Sequence, residues 1–114
     1  MSKLYSTDKI MTYVGNNEDQ CKELLELFAE TIPEELDKLN TEITNENWIK
    51  AYEILHRIKP SFEIMQIKHG SEEFVKLNNN IHSKINLDDV SELFNSMKSH
   101  IYQAIKQIKE DINK

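Results

Sequence analysis

Apolar residues recur at three- and four-residue steps along almost the whole chain, the period of a helix that buries one face. A first segment over about 7–14 carries Ile10, Met11 and Val14 and is predicted to stop at Gly15, a residue suited to the left-handed turn after a helix. Asn17 is the predicted cap of the next helix, with Gln20 three residues later as its reciprocal partner. That helix runs to about 43 on Cys21, Leu24, Leu25, Phe28, Ile32, Leu36, Leu39 and Ile43, with Pro33 inside it as a point of kinking. Asn45 is read as the cap of a third helix, whose stripe is Trp48, Ala51, Tyr52, Leu55, Ile58, Phe62 and Met65 and whose end is Gly70. Ser71 starts a shorter helix on Phe74, Leu77 and Ile81, weakened by Asn78, Asn79 and Asn80. The last helix begins near Asp88 or Asp89 and carries Val90, Phe94, Met97, Ile101, Ala104, Ile105, Ile108 and Ile112, with Lys106, Lys109 and Lys114 near its negative end. The pattern predicts an all-α domain, an antiparallel four-helix bundle preceded by a short lead-in helix, over residues 1–114.

Composition narrows the class. Two glycines in 114 residues leave little turn chemistry for a hairpin-rich β fold. The length suits one domain whose core needs no disulfide or structural metal. A lone Cys21 excludes a disulfide framework and a multi-cysteine zinc site. No apolar run approaches the roughly 20 residues that cross a bilayer, and the N-terminus has no signal-peptide pattern. A cytoplasmic protein with no membrane partner is expected.

The formal net charge is −6, with a single arginine, Arg57, which argues against a nucleic-acid partner because such partners require a basic surface. The charge is uneven. Residues 18–43 hold nine acids and two bases, a net −7, whereas residues 48–69 hold four bases and two acids, a net +2. The positive stretch ends at His69 and has one of the four histidines near its middle.

That histidine is His56. His100 lies beside the core stripe of the last helix and reads as a packed or boundary residue, while His69 and His82 stand at helix ends and read as surface residues. His56 lies in the middle of the best-patterned helix, one residue past core position Leu55, which turns its ring about 100° off the stripe toward solvent. Tyr52, Glu53, Lys59 and Pro60 are its i−4, i−3, i+3 and i+4 neighbours and share its face. An exposed imidazole, ordinarily titrating near ~6.5, is largely neutral at cytoplasmic pH and has a ring nitrogen free to act as a nucleophile. Lys59 is the cation that could hold the oxygens of a phosphoryl group on that nitrogen. Pro60 keeps the surface beside the ring low. It also has no N–H for the His56 carbonyl, which is expected to bow the helix outward.

His56-Arg57-Ile58-Lys59-Pro60-Ser61 resembles the signature of the histidine-containing phosphotransfer (HPt) domain family, a helix reading His-x-aliphatic-Lys followed by a small residue. The resemblance takes in Asn47-Trp48 at the start of that helix, Leu25-Glu26-Leu27-Phe28 with Pro33 and Leu36 in the preceding one, and a lead-in helix ending in Gly. It covers nearly the whole chain. Two positions depart from it: Pro60 stands where the family usually has Gly, and Gln66 where a second Gly is expected. The family often places a Gln or basic residue on the following helix to steady the histidine. By spacing, Asn78 and His82 fall near those positions, and Asn78 could bond one ring nitrogen and fix the tautomer.

The resemblance implies a phosphorelay carrier without kinase activity of its own. His56 would accept a phosphoryl group from a receiver-domain aspartate of a hybrid histidine kinase and pass it to the receiver of a response regulator. The receivers would supply the Mg2+, and the carrier needs no cofactor. Ile49, Tyr52, Arg57, Pro60 and Ile64 are the candidate docking rim, on a protein expected to be a monomer. No Gly-rich phosphate loop for ATP is present. Two rival readings remain at this point. One is an interaction-only bundle, or degenerate carrier, in which His56 is an ordinary surface residue. The other is a metal-binding four-helix bundle, since Glu53-Ile54-Leu55-His56 matches the Glu-x-x-His motif of di-iron bundles, although no second copy of that motif occurs in the chain.

Overall fold

In the computed structural model, residues 3–113 are described, and five α-helices with one 3-10 turn account for most of them. The helices are α1 (Asp8–Tyr13), α2 (Glu18–Thr44), α3 (Trp48–Ile64), α4 (Ser71–Ser83) and α5 (Val90–Ile112), with the 3-10 turn Leu87–Asp89 leading into α5. No strand occurs among the described residues. The 27 residues of α2 make a rod of about 40 Å at the usual helical rise, which accounts for the 42 Å long axis of a body 25 and 19 Å across.

Most of the predicted stripe residues are buried; Leu24, Phe28, Trp48, Tyr52 and Ile112 are only half-buried at the edge of the core, and Ala29 and Ile54, outside the predicted stripes, join it. Leu25, Ala29, Ile32, Leu36, Leu39 and Ile43 of α2 face Ala51, Ile54, Leu55, Ile58 and Phe62 of α3, Phe74, Leu77 and Ile81 of α4, and Val90, Phe94, Met97, Ile101, Ala104, Ile105 and Ile108 of α5 in one core. No polar or charged residue is buried in it. Around this core α2 packs against α3 and α5, α4 packs against α3 and α5, and α1 lies on α2. Each fully buried Leu or Ile contributes about 1.5–3 kcal/mol, so Leu55, one residue before His56, and Ile58, two after it, anchor α3 firmly.

The ends of the helices differ from the expectation in three places. Asn17 caps α2 by accepting from the Gln20 backbone N–H at 3.0 Å, but the reciprocal bond is absent because the Asn17 N–H is turned to the Val14 carbonyl. Asn45 does not cap α3. It ends α2, where Glu46 adopts φ 57° and the N–H groups of Glu46 and Asn47 bond back to Ile43 and Glu42. That paired closure leaves Asn47 as the residue before α3, without a side-chain cap. Gly70 does not end α3 either. The helix stops at Ile64 because Gln66 turns left-handed at φ 50°, and Gly70, at φ 100°, opens α4 instead. A Cβ at Gly70 would stand 3.3 Å from that of His100, so glycine also permits the close approach of this turn to α5.

The expected stop at Gly15 is present, with φ 63°, and α3 runs unbroken through Pro60. Lys109 lies in the last turn of α5, while Lys114 falls outside the described residues. Residues 3–6 strap the far end of the body: the Tyr5 hydroxyl donates to Asp111 at 2.6 Å, Gln107 accepts from the Leu4 N–H, and Lys68 donates its N–H to Leu4. No helix is long and apolar enough to cross a membrane among the described residues.

Candidate functional site

Helix α3 presents two faces, and the register of its stripe decides which residues reach solvent. Leu55 and Ile58 are buried while His56, Lys59 and Pro60, on the opposite arc, are exposed. His56 and Lys59 lie three residues apart on one continuous helix, which puts them on neighbouring positions of the same face. Among the described residues neither forms a side-chain hydrogen bond, and Lys59 forms no ion pair. The face thus carries an exposed imidazole with an exposed ammonium one turn further along the helix.

Tyr52 is the neighbour that touches the imidazole. The two rings meet edge to face, with centroids 4.6 Å apart and planes at 77°. The Tyr52 ring also meets His82 of α4 at 4.7 Å and 33°. His82 therefore joins the site through Tyr52. Asn78, half-buried on α4, forms no side-chain hydrogen bond among the described residues, so the expected bond to the imidazole is not made.

The proposed rim separates into parts. Ile49 is 71% exposed and stands out from α3, whereas Ile64, at the last turn, is half-buried against the core. Arg57 is turned to α2, where its Nε and Nη2 both donate to one Glu35 oxygen at 3.1 and 2.9 Å. Beside Ile49, a depression of about 240 Å³ runs between α3 and α4, lined by Trp48, Ile49, Tyr52, Glu53, Ile81, His82 and Lys84. The sequence pattern places Trp48 and Ile81 on core stripes rather than at the site, and it gives no signal for Lys84. A Trp-Ile pair at the start of a helix is a usable signal for Trp48. The contribution of α4 depends on how the two helices pack, which local pattern does not report.

The other histidines form a separate group. His69 lies 5.6 Å from His100, whose Nε2 is 3.3 Å from a Glu73 oxygen that also accepts from Ser96. Glu53 and His56 both face solvent, so the Glu-x-x-His pair does not point into the core as a di-iron site requires. No cluster of three or more His, Cys, Asp or Glu suited to a metal ion occurs among the described residues. The resolved proton shifts lie elsewhere. Burial, with the hydrogen bond and charge of Asp111, pushes the Tyr5 hydroxyl well above its usual range; burial and Glu18 raise the Cys21 thiol; burial and Asp37 raise Tyr102. No protein-family model matches the chain, and no curated protein or solved structure matches it.

Proposed function

We propose that the protein is a histidine phosphotransfer carrier built on an antiparallel four-helix bundle, with His56 as the phosphoacceptor. The observation that carries this reading is the exposed His56 imidazole in the middle of α3 with the exposed Lys59 one turn on, neither side chain hydrogen-bonded among the described residues. The short connections between consecutive long helices, together with their neighbour contacts, favour the antiparallel arrangement.

The chemistry asks little of the carrier, since phosphoryl transfer rests on positioning and charge neutralisation. A ring nitrogen of His56 attacks the phosphorus of an aspartyl phosphate on a receiver domain. The P–N bond forms as the P–O bond to the aspartate breaks, the carboxylate leaves, and the ring N–H proton passes to solvent. Lys59 faces the charge on the phosphoryl oxygens. The reverse sequence, onto a second receiver's aspartate, discharges the carrier. Magnesium belongs to the receivers, and the depression beside Ile49 and Trp48, mostly apolar with Glu53 and Lys84 both in its lining, offers a docking surface to a receiver.

The same depression supports the second reading, an interaction-only bundle in which partner binding survives without transfer. Mixing the protein with a receiver charged by a small phosphodonor separates the two. The carrier acquires an acid-labile, base-stable label that His56→Gln abolishes. Binding of the receiver with no label on the wild type overturns the carrier reading and leaves the interaction module.

A further inference from the structure

Three rings stand together across α3 and α4, and the transfer chemistry above uses only one of them. His56 contacts Tyr52 at 4.6 Å, and Tyr52 contacts His82 at 4.7 Å. We infer that Tyr52 is a positioning residue for the His56 imidazole, held in place from α4 by His82. For its catalytic consequence this inference rests on the phosphotransfer reading.

The argument begins with freedom. A histidine on an exposed helix face has two accessible χ1 settings and a broad, roughly two-fold χ2, or about four ring placements. No hydrogen bond among the described residues selects one for His56. Helical side chains lean toward the N-terminus of their helix, so the His56 ring lies over the turn that carries Tyr52. Tyr52 is not itself free: it is half-buried, packs against the core and lies against His82. A ring fixed in this way is a rigid wall for its neighbour. An edge-to-face aromatic contact biases the neighbour's setting by about two- to tenfold, which favours one placement of about four and at the upper end makes it dominant. A fixed ring keeps the same nitrogen turned outward beside Lys59, so an incoming phosphorus meets a prearranged nucleophile and cation.

The test uses phosphoramidate, a donor small enough to need no docking surface, so a lost rate cannot be assigned to lost receiver binding. The His56 ring nitrogen attacks phosphorus, the P–N bond of the donor breaks, and ammonia leaves carrying the ring proton as ammonium. Tyr52→Leu slows uptake about two- to fourfold, and Tyr52→Phe, which keeps the ring, restores it. In parallel, three-bond couplings across χ1 of His56 report one dominant rotamer in the wild type and in Tyr52→Phe, and averaging in Tyr52→Leu. His82→Ala, at an exposed position where folding is not at stake, moves those couplings the same way by a smaller amount and decides the matter if Tyr52→Leu does not fold. An averaged His56 in the wild type, or a Tyr52→Leu variant with unchanged couplings and rate, overturns the inference. An ordered ring that Tyr52→Leu disorders, in a wild type that takes no label, supports the positioning role and overturns the phosphotransfer reading instead.

Discussion

Lys59→Ala is the perturbation whose size can be worked from the helix itself. His56 and Lys59 are three residues apart on an unbroken α3, and both are exposed. Their Cβ atoms are then about 5–6 Å apart. A phosphoryl group carries close to two negative charges at neutral pH, and at about 5 Å in water-like surroundings it attracts an ammonium by about 1.5–2 kcal/mol. Screening at 0.1 M salt, with its Debye length of about 10 Å, reduces this to about 1 kcal/mol. Removing the ammonium should therefore slow phosphoryl uptake by about fivefold at 0.1 M salt and by tenfold or more at low ionic strength. Lys59→Arg, which keeps the charge, should lose much less. The assay is the initial rate of acid-labile label incorporation at two salt concentrations, with thermal melts to show that the fold is unchanged. An Ala variant as fast as the wild type at both, or a loss that does not depend on salt, refutes the electrostatic role of Lys59.

Three further outcomes concern the scaffold. Glu46 ends α2 at φ 57°, where an L-residue is strained by about 1–2 kcal/mol; after the entropy glycine costs in the unfolded chain, Glu46→Gly should stabilise by about 0.5–1 kcal/mol and raise Tm by about 2–4 °C, and a lowered Tm contradicts the left-handed turn. The Tyr5 hydroxyl donates to Asp111 at 2.6 Å, and burial first, then Asp111, raises its pKa. An unfolded tyrosine titrates near ~10, so this contribution is complete below that pH and is lost as pH rises above it. Tyr5→Phe should lower stability at neutral pH and flatten the alkaline decline in urea-unfolding midpoints; an equally steep decline contradicts the assignment. The Arg57–Glu35 pair is more than half exposed on the arginine side, so a double-mutant cycle should give at most about 1 kcal/mol, falling with salt, and a larger, salt-independent coupling contradicts the exposed geometry.

What sequence reveals about this chain depends on how local the physics is. The core stripes of α3, α4 and α5 follow from a 3.6-residue period that needs no partner to be read, and the exposure of His56 follows from its place beside Leu55. The helix ends were harder. Asn45 carries a capping side chain, yet its neighbour Glu46 takes the left-handed turn that closes α2, and the choice between the two roles depends on backbone bonds to Glu42 and Ile43. Gly70 looks like a stop, but Gln66 does that work, leaving Gly70 to the close approach at His100. In the site, the proximity of His56, Lys59 and Tyr52 is intrahelical and legible. The tilted contact of His82 with Tyr52 and the turning of Arg57 to Glu35 are set by the packing of α3 against its neighbours, which a single sequence does not encode locally.

The central claim is that His56 carries a phosphoryl group, and it is tested most directly by locating that group. After incubation with a phosphorylated receiver, peptide mass analysis under neutral or basic conditions should find one added phosphoryl mass on the peptide containing His56 and none on peptides containing His69, His82 or His100. Adding a fresh, unphosphorylated receiver should then remove it. An unmodified His56, or modification that persists unchanged in His56→Gln, contradicts the account.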